Sequence, residues 1–243
     1  MRILFVVTAR GGSKSVPRKN IREIGGIPLI AYKIISAQRT KYNKRIIVST
    51  DDAEIADVAK RFGAEVPFVR PESLATDTAS SMDVISHAID WIESNDNNKY
   101  DYVCMLEPSS PFMSYKRMNE ALEMLIKNDG DTLLGMKETE VSSAFIHPLD
   151  TLNHLSLHYE AIKNMKSVRR QDQVKEYTMN GCIYAAKYEY FKKNKIFHSV
   201  KSIPYIMPEE VSIEIDTPLN LAFAEFLVEK GIIDLSEWKD SGI

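Results

Sequence analysis

The sequence predicts an α/β domain built on a mainly parallel sheet, with helices on both faces. Three observations carry this. Short runs rich in β-branched residues, at Ile3–Thr8, Arg45–Thr50, Tyr102–Leu106 and Thr132–Met136, alternate with longer segments of helical period. The first of these runs is apolar at successive positions rather than at every second one, as in strands buried on both faces. Polar segments then follow the strands directly, and open α/β sheets bind ligands beyond their carboxyl ends. At 243 residues and 44% hydrophobic, the chain is long enough for one such domain, read as residues 1–243.

The elements follow in order. After the first strand comes the basic segment Ala9–Asn20, "ARGGSKSVPRKN". Pro28 stands in the first turn of a helix whose apolar positions Leu29, Ile30, Ile34 and Ala37 recur at helical spacing. Asp52 caps a helix over Ala53–Phe62, ended by Gly63. Val66–Val69 reads as a short extended piece. Ser81–Ile92 is helical, with Val84, Ile85, Ala88, Ile89 and Ile92 on one face. A further helix spans Tyr115–Ile126. After Lys137 the rhythm fails, and residues 138–179 read as an insertion, a lid or an oligomerisation arm. Alternation resumes at "GCIYAA" and ends in a helix over Thr217–Glu229.

Composition narrows the function. With 31 basic against 34 acidic residues, the chain has no charge excess for nucleic acid or a membrane surface. No apolar stretch approaches membrane-spanning length and no signal-peptide pattern opens the chain, which reads as cytoplasmic. Cys104 and Cys182 lie in apolar runs and read as core residues.

The basic segment has the parts of a phosphate cradle. Gly11 and Gly12 allow close backbone approach, Ser13 adds a hydroxyl, and Arg10, Lys14 and Lys19 supply charge. It matches neither the P-loop nor the dinucleotide fingerprint. In "RPESLATDTASS", Asp77, Thr78, Ser80 and Ser81 precede a helix and suit either its cap or a polyol or nucleoside. In "EIDTP", Glu214 and Asp216 would lie on one side of an extended segment, as Mg²⁺ ligands or as part of a helix cap.

Together, "ARGGSKSVPRKN", "GGIPLIAY", "IIVSTDD", "FGAEVPFVRPESLATDTASS", "EPSSPF", "RRQ", "NGCIY" and "SIEIDTPLNLAFAE" resemble the CMP-sialic acid synthetases (N-acylneuraminate cytidylyltransferases) and relatives acting on other nonulosonic acids such as legionaminic acid. The resemblance covers nearly the whole chain. It implies a nucleotide-diphospho-sugar transferase-like mixed sheet, and a homodimer in which the insertion reaches the partner's site. It also implies transfer of CMP from CTP to a nonulosonic acid, with Mg²⁺. On matching residues, Arg10, Ser13, Lys14 and Lys19 would hold the triphosphate with Asn20 nearby. Arg70 and Ser81 would contact the nucleoside. Glu107, Arg170 and Asn180 would lie near the sugar, with Arg170 on its carboxylate. Asp216 would be the principal Mg²⁺ ligand, joined by Glu214.

Three positions depart from the family pattern: Glu107 replaces the usual Gln, Met113 the usual Arg and Asp150 the usual Lys. An ionised carboxylate accepts hydrogen bonds but donates none, so Glu107 bears on which sugar is taken. N-acylneuraminate is the leading acceptor; the alternatives are the same reaction on legionaminic acid or another 5,7-diamino nonulosonic acid, then a Kdo cytidylyltransferase or a non-catalytic nucleotide-binding dimer. Lys19 kept together with Glu214 and Asp216 favours an enzyme.

Overall fold

A computed structural model describes residues 1–239 other than 164, 166 and 168, the side chain of Arg170 also lying outside the description. Six strands form one sheet: β1 (Arg2–Thr8), β4 (Asn43–Ser49), β5 (Tyr102–Leu106), β6 (Thr132–Glu138), β7 (Tyr177–Lys187) and β8 (Ser202–Ile206). Their spatial order is β4-β1-β5-β7-β6-β8. All neighbours pair in parallel except β7, which runs antiparallel to both β5 and β6. A two-stranded hairpin, β2 (Glu23–Ile24) and β3 (Ile27–Pro28), stands apart.

The predicted sheet, covered on both faces, is present. Along β1, Ile3, Phe5 and Val7 face one core and Leu4 and Val6 the other, the alternation that a strand geometry dictates. The first core includes residues of α1 (Leu29–Arg39), α2 (Ala53–Arg61) and α4 (Tyr115–Lys127). The second includes residues of α3 (Ser81–Asn95) and α6 (Tyr188–Asn194). A third core lies outside α1, where Leu29, Tyr32 and Ile35 meet Leu221, Ala224 and Leu227 of α7 (Pro218–Glu229) and Trp238 of α8 (Ser236–Lys239). Helix α1 is therefore enclosed from both sides, and every residue from Leu29 to Ala37 is buried.

Helix starts follow the expected chemistry. The Asp52 side chain accepts from the Ile55 amide at 2.9 Å at the head of α2. Thr217 and Asn220 form a reciprocal capping box on α7, which fixes the segment just before it. Val66–Val69 is not a strand; this stretch contributes only an isolated bridge, Ile47 to Glu65, just ahead of it. Among its described residues the insertion contains the α-helix α5 (Ser156–Ile162) and 3-10 turns at Ser143–Phe145 and Arg170–Asp172, and it carries apolar side chains into solvent, among them Ile146, Leu149, Leu152, Leu155 and Tyr159. Among the described residues, no helix is long and apolar enough to cross a membrane.

The pairing of β6 with β7 shifts register between Leu134 and Met136. Opposite this irregularity, Asn180 turns inward and Gly181 adopts φ +67°. A Cβ at Gly135 would lie 2.6 Å from Asn180 Oδ1. The small residue in β6 thus makes room for the buried amide in β7, and the local kink aims Gly181 at the carboxyl end of β5.

Candidate active site

The carboxyl ends of β1, β4 and β5 converge, and each delivers a polar segment to the same edge. After β1, the Asn20 amide donates to the Arg10 carbonyl at 2.8 Å and closes the basic loop on itself. Arg18 takes a left-handed φ of 57° ahead of a 3-10 turn at Lys19–Ile21. That turn directs Lys19, largely shielded, onto Asp216 at 3.0 Å. Lys14 stays 83% exposed. The two glycines differ. A Cβ at Gly12 would meet nothing within 4 Å, whereas one at Gly11 would lie 2.8 Å from Asp52 Oδ2. The Gly11 amide donates to Asp51 Oδ1 at 3.0 Å. Gly11, expected to let the backbone approach phosphate closely, ties the loop to the end of β4.

Arg10 and Lys14 meet on Asp77, in the segment before α3, with Arg10 Nη2 to Oδ1 at 2.8 Å. Lys14, then Arg10, hold the Asp77 carboxyl below the usual range. Arg70 lies behind them, buried, its Nε donating to Ser49 Oγ at 3.1 Å and its Nη2 to the Ser49 carbonyl. Burial lowers the guanidinium to about 10, which leaves it charged at neutral pH. Thr8, Arg10, Arg70, Thr76, Asp77 and Ser81 are among the residues lining a cavity of about 240 Å³ here. Ser80, not Ser81, caps α3, accepting from the Met82 amide at 3.1 Å.

The opposite wall is acidic. The Ile215 amide donates to the Ser109 carbonyl at 2.8 Å, clamping the Glu214–Asp216 segment against the turn that begins at Glu107. Gly181 lies between them. A Cβ there would stand 2.7 Å from Glu214 Oε1, 3.2 Å from Glu107 Oε2, and in collision with Ser110 Oγ. Burial, then the charge of Glu214, pushes Glu107 up to about 7. Burial, then Asp216, raises Glu214 as well, opposed by Lys137 and Lys19. The amide of Asn180 is bonded inward, donating to Ser212 Oγ at 2.9 Å and accepting from the Cys182 amide at 3.1 Å. Asn180 therefore borders the site by placing Gly181 rather than by presenting its own polar group. The side chain of Arg170, expected on the sugar carboxylate, lies outside the description.

Among the described residues, no group of three or more His, Cys, Asp or Glu side chains is arranged to hold a metal. Glu214 and Asp216 still fit a hard divalent cation shared with substrate phosphates, which needs only one or two carboxylates from the protein. Burial first and the Asp216 charge second raise Glu214, and a cation bound there would favour its ionised form.

Several residues of the site escaped the sequence reading. Lys33 is fully buried and donates from Nζ to the Cys182 carbonyl at 2.7 Å. Ser110 is fully buried, and among the described residues its Oγ has no hydrogen-bond partner. Gly181 carries its signal only in its φ. A lysine inside the apolar stretch "PLIAYKIISAQ" was the one trace of Lys33 in the sequence.

Cations at the end of the first strand, a cavity beside them and a carboxylate pair across from them define a nucleotidyltransferase type of site on a nucleotide-binding α/β fold. Comparison with known proteins agrees. The chain belongs to the cytidylyltransferase family, whose model matches residues 4–235. It is 35% identical over 232 residues to a Legionella pneumophila protein named CMP-N,N'-diacetyllegionaminic acid synthase, covering 94% of this chain and 97% of that one. It is 35% identical over 227 residues to a Campylobacter jejuni pseudaminic acid cytidylyltransferase, covering 93% and 96%. In fold it resembles a CMP:2-keto-3-deoxy-manno-octonic acid synthetase solved with CTP, at a TM-score of 0.67 and 15% identity over 95% of this chain and 100% of that one.

Proposed function

We propose that this enzyme transfers CMP from CTP to a nonulosonic acid, releasing diphosphate. The observation that carries the reading is the meeting of Lys19 with Asp216 at 3.0 Å, across a site that also holds Arg10 and Lys14. Triphosphate-binding cations and a metal-type carboxylate come from opposite ends of the chain to one point. The names of the two sequence relatives point to the same chemistry. A legionaminic-type acid is favoured over N-acylneuraminate by the first of those names and by Glu107, a carboxylate on the wall assigned to the sugar.

In this reading Arg10, Ser13, Lys14 and Lys19 bind the triphosphate, Gly12 leaves room for it, and Arg10 and Lys14 leave Asp77 to do so. Arg70 and Ser81 line the nucleoside cavity. Arg170 pairs with the sugar carboxylate. The anomeric 2-hydroxyl oxygen of the sugar attacks the α-phosphorus in line. The new P–O bond forms as the bond to the β-phosphate oxygen breaks; diphosphate departs and the hydroxyl proton passes to water. Lys14 and Lys19 disperse the charge that builds on the departing phosphates, the usual source of most catalysis in such transfers. Glu214 and Asp216 would hold Mg²⁺, which supplies further positive charge at the phosphates when bound.

The apolar side chains exposed on the insertion support its packing against a second copy of the chain, as a homodimer. A CTP-dependent enzyme of this kind belongs in the cytoplasm, with its nucleotide. The test is diphosphate release with CTP, Mg²⁺ and a panel of N-acetylneuraminic, N,N'-diacetyllegionaminic, pseudaminic and Kdo acids. Release with a nonulosonic acid and not with Kdo is expected; no release with any of them would overturn the proposal.

A further inference from the structure

Asp77 stands just ahead of α3, where an acid can cap a helix or meet a ligand. The cap is taken by Ser80, whose Oγ accepts from the Met82 amide at 3.1 Å. The turn before it closes through the backbone, with the Ala79 amide donating to the Thr76 carbonyl at 3.3 Å. Among the described residues, the partners of the Asp77 carboxylate are two cations and no backbone amide.

Those cations come from the loop after β1. Arg10 Nη2 lies 2.8 Å from Oδ1, and Lys14 Nζ pairs with Oδ2, so each oxygen is matched to one cation. The loop itself is held by other bonds. The Asn20 amide donates to the Arg10 carbonyl at 2.8 Å, and the Gly11 amide to Asp51 at 3.0 Å. Nor does the contact add much to the fold. Lys14 is 83% exposed and Asp77 44%, and ion pairs so open to water contribute little. A carboxylate that neither caps a helix nor anchors a loop acts on the cations themselves.

Arg10 and Asp77 both line the cavity at the end of β1, and Arg10 and Lys14 are the cations assigned above to the triphosphate. A carboxylate offers two anionic oxygens to such donors, as a phosphate does. Asp77 and a phosphate therefore compete for the same two side chains. Apparent affinity falls by the fraction of molecules in which those side chains are free. CTP is held by its nucleoside as well, whereas the diphosphate left after transfer has the cations alone.

We propose that Asp77 is a positioning residue of the phosphate cradle: it competes with phosphate for Arg10 and Lys14, and closes on them again as diphosphate departs. The product is thereby kept from lodging among the cations that assist its departure. The proposal rests on the phosphate role given to this loop above, and not on the identity of the sugar.

The experiment is calorimetric titration of inorganic diphosphate, and separately of CTP, into the full-length protein at fixed Mg²⁺ without sugar. The proteins are wild type, Asp77→Asn, Asp77→Glu and Glu54→Gln. Asparagine keeps the shape of the side chain and removes its charge. Asp77→Asn should tighten diphosphate binding about 3–30-fold, the range expected when two exposed ion pairs no longer compete. Asp77→Glu keeps the charge and should stay within about twofold of wild type. Glu54 pairs with Arg18 of the same loop, so Glu54→Gln removes one charge from the same neighbourhood; a change within about twofold is expected. In turnover, Asp77→Asn should lower the inhibition constant of diphosphate by the same factor, with the sugar KM within about twofold and Tm within about 3 °C. Unchanged or weaker diphosphate binding in Asp77→Asn would overturn the competition. So would an equal gain in Glu54→Gln, which would trace the effect to net charge, or an equal gain in Asp77→Glu. If none of the proteins binds CTP or diphosphate, the phosphate role of the loop falls and the competition with it. If they bind both but turn over no sugar, the transfer reaction falls, while the binding series still decides the role of Asp77.

Discussion

Gly181→Ala places a single methyl where the acidic wall of the site is most crowded. The backbone there is left-handed, at φ +67°. For alanine that conformation costs about 1–2 kcal/mol. The new Cβ would collide with Ser110 Oγ and stand 2.7 Å from Glu214 Oε1, both inside normal contact distance. Forcing the neighbours aside adds about 1–3 kcal/mol. The total of roughly 2–5 kcal/mol corresponds to a fall in Tm of about 4–20 °C for a domain of this size. Gly26 is the control: its φ is +80° but a Cβ there meets nothing within 4 Å. Gly26→Ala should show the backbone cost alone, a fall of about 2–8 °C. The assay is thermal melting of the two variants in parallel, followed by diphosphate release. Gly181→Ala should also lose about 100-fold or more in kcat/KM for the sugar, since three side chains of that wall are displaced. Equal Tm shifts for the two variants, or a wild-type sugar KM in Gly181→Ala, would refute the crowding described here.

Other expectations follow from the same geometry. Asp216→Ala should cut kcat by about 1,000-fold or more while leaving Tm almost unchanged, because Asp216 is 64% exposed and its ion pair with Lys19 lies near solvent; near-normal kcat would remove its role at the phosphates. Arg170→Ala should raise the sugar KM by about 10–100-fold with CTP affinity unaffected, and an equal loss for CTP would place Arg170 elsewhere. The pH dependence of stability has a fixed sign. Lys33 titrates at about 8 in the fold against 10.5 ordinarily, so the unfolded chain holds its proton more tightly; its contribution is flat below about 8 and rises towards pH 10.5. Glu107 titrates at about 7 against 4.5, so the folded chain holds its proton more tightly; stability falls from pH 4.5 to about 7 and is flat above. Each limb is worth about 3 kcal/mol at most. The Tm of wild type minus that of Lys33→Met/Glu107→Gln should therefore dip between pH 7 and 8, and a flat difference would contradict the assignment.

The strands were legible because they are buried on both faces, which leaves an unbroken apolar run in the sequence. Their directions were less so. The run "GCIYAA" gives no hint that β7 is antiparallel to its neighbours, and the resemblance, not the pattern, implied a mixed sheet. The edge strand β8 and the lysine-bearing helix α6 went unread because each buries too few residues to set a period. Val66–Val69 has the composition of a strand and finds no partner of its own. In the site, Arg10, Lys14 and Lys19 stood out as charges directly after a strand. Lys33 did not, since a lysine on an amphipathic helix normally marks the face towards water. The fold encloses that helix between the sheet on one side and α7 with Trp238 of α8 on the other, and Lys33 is buried with it. Ser110 and Gly181 required the fold as well: one is defined by the partner it lacks, the other by a dihedral angle.

The central claim is that the converging loops transfer CMP to a nonulosonic acid. Its most direct test is mass analysis of the products formed from CTP and N,N'-diacetyllegionaminic acid with Mg²⁺, alongside parallel reactions with ATP, GTP and UTP. A CMP–sugar adduct formed one-to-one with diphosphate, from CTP and not from the other nucleotides, is the expected result. Diphosphate without an adduct, or no product with any nonulosonic acid, would contradict it.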